Sequence, residues 1–533
     1  MTFGFLRKIL PPWKNALLAV VAAVLMILAF PDFQYWFLAW FALVPLMFAV
    51  EREKASTWRS FVTGWIFGTI FFFGTCWWLT FAPITYAGFP PWLAYSGMVF
   101  VALAVGVFPA IFAAILSVLL RRFGSWAFLA APFVWVFTEF LRYWVTGNNW
   151  NAIGYSQAFT GFWTILFLWT AGIGGMLFSS GLIVLTNSIF AATLTRIRNA
   201  DPGREWFAFI STVAAYVGLF VAIVMVLVVA YIFNLVLPSN SSFPNSAKLI
   251  AIQPNVPMAG LDYQKWGQLR EQQIELAEIE IKKLTTDNRL PTTVILPESP
   301  MNFTYNDDRE FQQFIGDFAR RNNVSVLFNS AEPDATNGKY FNSAVMVSPQ
   351  GTEAAQYDKI YLLPFGEAVP PPLEGILPGF VGNFSYGREY DLLPLGDAKA
   401  GVMICFESHF GELSRRYVQD GADVIIEMTN DGYLGPTPVL RQHLANAVFR
   451  AVETKRPVLR VTNVGISAYI NERGEVLDAT KPYQEDTRVW SVSKSDGSQT
   501  FYVKYGDWFA WLCSIVTIGL LGYAIFRRKQ QVV

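Results

Sequence analysis

Histidine and cysteine are scarce in this chain: two His and three Cys stand among 533 residues. His409 and His443 are 34 residues apart without a ligand cluster, so no zinc motif appears. His443, in Arg441-Gln442-His443, reads as a helix-face residue rather than a base. Glycine loops of the Walker or dinucleotide type are absent, as are internal repeats and low-complexity tracts, and neither cofactor nor metal is expected. Charge is scarce as well. Asp, Glu, Lys and Arg make up 15% of the chain against 53% hydrophobic and 16% aromatic residues. That is too apolar for one ordinary soluble domain.

The apolar residues are unevenly placed. Residues 1–237 hold 12 Lys/Arg and 6 Asp/Glu, whereas 238–506 hold 25 Lys/Arg and 33 Asp/Glu. Seven stretches in the first part approach or exceed the roughly 20 residues that a spanning helix needs: about 14–31, 34–50, 58–80, 92–120, 126–146, 162–194 and 206–236, with another at 507–526. The first ends in Ala29-Phe30-Pro31-Asp32-Phe33 without a small-x-small cleavage site, so it reads as an uncleaved helix. The expected architecture is a multi-pass α-helical membrane domain of about eight transmembrane helices: 1–237 carries seven, 507–533 carries the last and a short tail, and 238–506 is a separate domain between them.

Lys/Arg counts in the short connections set the orientation. With a cytoplasmic N-terminus, the inside segments hold Arg7, Lys8, Lys14, Arg52, Lys54, Arg59, Arg121, Arg122, Arg196, Arg198, Arg204, Arg527, Arg528 and Lys529, while the short outside connections hold Arg142 alone. Both termini then face the cytoplasm and 238–506 lies outside it. The formal charge of that segment, 25 minus 33 or −8, argues against nucleic acid or an anionic membrane surface as a partner. Cys76 and Cys513 fall within apolar stretches, which leaves Cys405 as a lone outside thiol with no disulfide framework.

The turn formers of 238–246 mark a linker. Beyond it, short apolar runs at 248–253, 292–296, 324–329, 343–347, 400–404, 423–428, 458–462 and 466–470 read as strands, and helical patterns occupy 264–286, 308–321, 410–418 and 438–454. This alternation predicts an α/β layered domain. The connection 362–390 follows neither period and carries Pro364, Pro370, Pro371, Pro372 and Pro378, so it reads as a functional loop or a rigid surface excursion.

Three residues at predicted strand ends could act together. Cys405 ends the run Gly401-Val402-Met403-Ile404-Cys405, Glu298 follows Val294-Ile295-Leu296 in a Pro-Glu-Ser turn, and Lys359 closes Tyr357-Asp358-Lys359. Singly, each has a bland explanation: a small buried hydrophobe, an exposed acid, a solvated lysine. Together they supply what acyl transfer requires. A thiol needs a base to become thiolate, and a Glu in a desolvated pocket can take that proton near neutral pH. A Lys ammonium then stabilises both thiolate and oxyanion, with Glu367 or Glu407 holding it in place.

This Glu, Lys, Cys constellation resembles the nitrilase or carbon–nitrogen hydrolase superfamily, and with apolar spans on both sides the chain is similar over essentially its whole length to bacterial apolipoprotein N-acyltransferases. Gln253-Pro254-Asn255 with Trp266, Tyr340-Phe341-Asn342-Ser343, Pro364-Phe365-Gly366-Glu367, Thr429-Asn430-Asp431, Arg460-x-Thr462-Asn463, Glu139-x-x-Arg142 and Gly154-Tyr155-Ser156-Gln157 add to the likeness. The resemblance implies a nitrilase-like αββα sandwich in which Glu298 is the general base, Lys359 the oxyanion stabiliser, Cys405 the nucleophile and Glu367 and Glu407 supporting carboxylates. It also implies substrate-binding roles for Trp266, Asn342, Phe406, Asn430 and Tyr433. Phe406 stands where Tyr is common, Leu296 where Trp is usual and Tyr433 where Trp is frequent, departures that imply altered acyl or lipid preference at most.

The implied reaction moves an acyl chain from a phospholipid, phosphatidylethanolamine by likeness, through a Cys405 thioester to the α-amine of the diacylglyceryl-modified N-terminal cysteine of an apolipoprotein. It is the last step of bacterial lipoprotein maturation, at the periplasmic face of the inner membrane, by an expected monomer. A membrane-tethered nitrilase-type amidase with a soluble substrate keeps the triad but gives no reason for so many spans. A transporter or scaffold is disfavoured by the sparse charge within them. Glu139 and Arg142 are expected to pair with each other, or to meet a zwitterionic headgroup.

Overall fold

Backbone polar groups in a bilayer have to be satisfied within the segment itself, and the apolar half accordingly folds into helices. A computed structural model describes residues 9–161, 167–200, 210, 244–284, 290–298, 303–364, 366–369 and 384–526. The chain divides into two units, Met1–Val236 with Tyr505–Val533, and Leu237–Lys504.

Among the described residues of the first unit, four helical segments are long and apolar enough to cross a membrane: Thr57–Thr85, Pro91–Thr146, Met176–Arg198 and Trp508–Phe526; Trp13–Ala29 is apolar but shorter. Against the expected count of about eight, four such segments stand among the described residues. Two of the expected spans, 92–120 and 126–146, fall within the single segment Pro91–Thr146, where the 3-10 turn Gly124–Ala130 joins helices Val107–Phe123 and Ala131–Thr146. The stretch 34–50 is broken into a 3-10 turn, Trp36–Trp40, and a ten-residue helix, Val44–Glu53. In 162–194, of which 162–166 lie outside the described residues, Gly175 with a φ of 72° separates a short helix, Ala171–Gly174, from Met176–Arg198. The stretch 206–236 lies outside the described residues apart from Ile210, as do Arg7, Lys8, Arg204 and the tail from 527.

In the second unit thirteen strands are described, in two sheets. They are β1 (Asn245–Gln253), β2 (Thr292–Ile295), β3 (Ser325–Pro333), β4 (Tyr340–Val347), β5 (Glu353–Asp358), β6 (Phe384–Ser385), β7 (Leu392–Leu395), β8 (Ala398–Ile404), β9 (Val424–Thr429), β10 (Val458–Thr462), β11 (Ala468–Ile470), β12 (Val476–Leu477) and β13 (Asp486–Ser493). One sheet runs β13-β1-β2-β3-β4-β5 with β6 added beside β4, and the other runs β12-β11-β10-β9-β8-β7. Helices Tyr263–Leu284 and Arg309–Asn322 pack on the first sheet, helices Gly411–Gln419 and Val439–Thr454 on the second, and β1 meets β10 while β5 meets β7 across the middle. The result is helix, sheet, sheet, helix, the layering expected from the sequence.

Burial explains the arrangement. Ile250, Ile252, Val294, Val326, Phe328, Phe311 and Phe318 form one core between the first sheet and its helices, each such side chain stabilising by about 1.5–3 kcal/mol on full burial. Every residue of β9 is buried, as expected for a central strand covered on both faces. Parallel pairing of β1, β2 and β3, and of β8, β9 and β10, delivers the loops after these strands to their carboxyl ends, where open α/β sheets place their sites.

Candidate active site

Cys405 follows β8 directly and opens the 3-10 turn Cys405–His409. Its φ of 53° puts a side-chain-bearing residue in left-handed backbone space, a conformation costing of order 1–3 kcal/mol that survives only where the surroundings impose it. The turn is held by Glu407, which is fully buried. One oxygen, Oε2, accepts from the Ile404 amide at 2.8 Å. The other, Oε1, accepts from the Tyr357 hydroxyl at 2.7 Å, the Ile360 amide at 2.7 Å and the Tyr361 amide at 3.0 Å. One carboxylate thus ties the nucleophile turn to the segment carrying Lys359. Burial pushes its carboxyl up to about 7, against the opposing pull of Lys359 and these hydrogen bonds.

Lys359 follows β5 and is 1% exposed. Its amide donates to the Asn342 carbonyl at 2.8 Å, and its own carbonyl accepts from Gly387 at 2.8 Å. Gly387 lies so close to the Asp358 carbonyl that any Cβ there would collide with it. The ammonium sits 2.8 Å from Glu367 Oε1 and 3.8 Å from Glu298 Oε1. Burial alone would push this lysine down, but Glu367 and Glu298 outweigh it and hold it firmly protonated.

Glu298 lies three residues beyond β2, past the hydrogen bond of 2.9 Å that the Leu296 amide donates to the Leu327 carbonyl. Burial raises its carboxyl and Glu367's charge adds to that, while Lys359 opposes. The thiol itself is pushed well above its ordinary range, by burial first and by Glu298 second, with Lys359 pulling the other way. Asn342 Nδ2 bridges the two acids, donating to Glu298 Oε1 at 3.2 Å and Glu367 Oε1 at 2.7 Å. Glu367 Oε2 accepts from the Leu363 amide at 2.7 Å.

The remaining predicted residues take varied places. Phe406 is buried, with Phe410 at 5.3 Å and His409 at 4.9 Å between ring centres. Asn430 is buried, and its side chain accepts from the Gly432 amide to shape the turn that presents the exposed Tyr433. Trp266 packs partly buried against the core of the first sheet. Glu139 and Arg142, in the first unit, are buried without forming an ion pair: Glu139 accepts from the Ile153 amide and Arg142 donates to the Trp150 carbonyl. Of the loop 362–390, residues 365 and 370–383 lie outside the described residues.

Residues that sequence reasoning missed surround the nucleophile's backbone. His443, read as a helix-face residue, is buried and contacts the Cys405 carbonyl at 3.1 Å. Asp431 and Arg460 lie in stretches already singled out, yet nothing in one sequence signals that they pair at 2.8 Å. Asn329, which donates to Asn342 Oδ1 at 2.6 Å, was likewise read only as the end of a strand.

With this geometry in view, comparison with known proteins is decisive. Residues 22–189 match the apolipoprotein N-acyltransferase N-terminal domain and residues 250–500 the carbon-nitrogen hydrolase domain. An apolipoprotein N-acyltransferase of Geobacter metallireducens is 31% identical over 97% of this chain and 96% of its own length. The chain belongs to the apolipoprotein N-acyltransferase family. Relatives of the same name from Thermotoga maritima, 30% identical over 94% of this chain and 92% of theirs, and from Pasteurella multocida, 26% identical over 98% of both, agree along nearly the full length. Family membership covers both units, the apolar one and the one bearing Cys405.

Proposed function

We propose that this N-acyltransferase works by a two-step transfer in which Cys405 is the nucleophile, Glu298 the proton carrier and Lys359 the oxyanion stabiliser. The observation that carries this reading is the convergence of the three groups: the Lys359 ammonium lies 3.8 Å from Glu298 Oε1, and the charges of Glu298 and Lys359 act in opposite directions on the Cys405 thiol. In the first step the thiol proton passes to Glu298 and sulfur attacks an ester carbonyl of a phospholipid. Lys359 stabilises the resulting oxyanion, the ester C–O bond breaks, and Glu298 returns the proton to the departing glycerol oxygen. Lysophospholipid leaves and a thioester remains.

In the second step the α-amine of a diacylglyceryl-modified N-terminal cysteine attacks the thioester. Glu298 takes the amine proton, the C–S bond breaks, the thiolate recovers that proton, and an amide is formed. Phosphatidylethanolamine is the proposed donor. Water competes at the thioester stage, so the pocket has to stay apolar until the lipoprotein amine arrives. The 14-to-1 distribution of Lys/Arg supports a bacterial inner-membrane enzyme with both termini cytoplasmic and 238–506 periplasmic as the catalytic domain, between membrane segments 1–237 and 507–533.

The test uses the full chain in detergent with acyl-labelled phosphatidylethanolamine. A hydroxylamine-labile adduct present in the parent and missing from Cys405→Ser is expected; a labelled adduct persisting in that variant would overturn the assignment. Mass spectrometry of a lipoprotein substrate should then show its N-terminus going from diacyl to triacyl. Release of free fatty acid in its place would mark a hydrolase.

A further inference from the structure

Beneath the Cys405 backbone lies a second set of charges that the reaction does not use. Arg460 Nη1 is 2.6 Å from Glu427 Oε1 and its Nη2 is 2.8 Å from Asp431 Oδ2. His443 closes the ring from the other side, with Nδ1 2.7 Å from Asp431 Oδ1 and Nε2 3.3 Å from Glu427 Oε1. All four residues are buried. His443 Nε2 also lies 3.1 Å from the Cys405 carbonyl and 3.1 Å from Ser408 Oγ. Nδ1 therefore faces a carboxylate, and Nε2 faces a carbonyl oxygen, a second carboxylate and the Ser408 hydroxyl. The Cys405 carbonyl can only accept, as can the Asp431 carboxylate, and a proton on each ring nitrogen satisfies both.

We propose that His443 is a positioning residue for the acyl-transfer reaction: its Nε2–H holds the Cys405 carbonyl in the left-handed turn, and its positive charge brings the buried ring beside the thiol to neutrality. With His443 charged the ring holds two anions and two cations; with a neutral ring it would hold a net negative charge in a sealed interior, where such a charge is strongly disfavoured. That charge would also oppose thiolate formation, and Asp431 already pushes the Cys405 thiol upward. The other groups facing His443 do not replace it. His409, 5.6 Å away between ring centres, is held neutral: Asn446 donates to its Nε2 and its Nδ1 donates to the Phe406 carbonyl. Burial, then the charge of His443, keeps its imidazole well below its ordinary range. Arg450, on the same helix, is paired with Glu453 at 2.6 Å.

The inference rests on Cys405 being the nucleophile, and the experiment separates the two. Single-turnover thioester formation from labelled phosphatidylethanolamine is followed across pH for the parent, His443→Gln, Glu427→Gln, the double variant and Cys405→Ala. His443→Gln should slow acylation about 10- to 100-fold with the KM for lipid unchanged, and its acid limb should move to higher pH because the ring is left negative. Glu427→Gln leaves the ring positive and should move the limb the other way, a result that does not require the His443 variant to fold. The double variant removes one charge of each sign, so its limb should return to the parent position while the rate stays low. Limbs that remain at the parent pH in both single variants would overturn the proposal. If Cys405→Ala still forms the adduct, the nucleophile assignment fails first.

Discussion

Two charge clusters meet at Cys405 and are built differently. On the thiol side, Glu298, Glu367 and Lys359 give two anions to one cation, with the two glutamate side chains 15% and 14% exposed. On the backbone side, Glu427 and Asp431 face Arg460 and His443, two anions to two cations, and every member is sealed from solvent. The unbalanced cluster sits where a proton has to move. Burial first, and the cluster's excess negative charge after that, raise Glu298 and Cys405 together. The balanced cluster sits where geometry has to be fixed. A closed ring of opposite charges fixes direction.

The largest effect should come from upsetting the thiol side. Lys359→Met removes the one cation between Glu298 and Glu367 and the donor assigned to the oxyanion, so thioester formation should fall about 10²- to 10³-fold in a single-turnover assay. Retention within tenfold would show that another group stabilises the intermediate. On the backbone side the corresponding change is structural. Arg460→Met leaves two buried carboxylates with only His443 between them and should destabilise the domain by about 3–5 kcal/mol, read as a lowered Tm. Arg460→Lys should rescue little, since Nη1 and Nη2 reach different carboxylates and an ammonium cannot span both.

How much of this was legible follows from which interactions are local. The strands β1, β2, β8, β9 and β10 and the four helices of the domain carry their own period, and the sequence runs mark them to within a few residues. β5, β7 and β13 were not recognised. Glu353–Asp358 is half polar, Leu392–Leu395 contains a proline, and Asp486–Ser493 alternates with charged residues, so their strand character comes from pairing with β4, β8 and β1 rather than from composition. At the site, Glu298 and Cys405 were readable because each ends an apolar run, and Lys359 because it stands between acids, Asp358 before it and Glu367 after. The ring of Glu427, Asp431, His443 and Arg460 was not, because its members come from four elements joined only in the fold. A buried histidine on a helix looks in one sequence like any helix-face residue.

Glu407 joins the two sides and titrates within reach of experiment. Its carboxyl, raised from 4.5 to about 7, binds a proton in the folded chain where the unfolded chain has released it. Its contribution to stability is therefore greatest below pH 4.5, declines as pH rises toward 7 at up to about 1.4 kcal/mol per pH unit, and is level above that. The Tm of the parent should fall more steeply between these pH values than that of Glu407→Gln. Equal slopes would mean that the carboxyl titrates at its ordinary position.

The smallest of these effects should separate position from charge on the thiol side. Asn329 donates to Asn342 Oδ1 at 2.6 Å and to the Ser343 carbonyl at 3.0 Å, which orients the Asn342 amide so that Nδ2 faces Glu298 and Glu367. Asn342→Ala removes a neutral donor shared by two carboxylates, and a loss of about tenfold in acylation is expected, the worth of one hydrogen bond to a charged group. Asn342→Asp keeps the shape but turns the donor into a third anion against the same two acids. If the unbalanced charge sets where the proton resides, the Asp variant should lose more activity than the Ala variant and its acid limb should move to higher pH. If Asn342 only spaces the two glutamates, Asp should do no worse than Ala, and the acid limb should stay where it is in the parent.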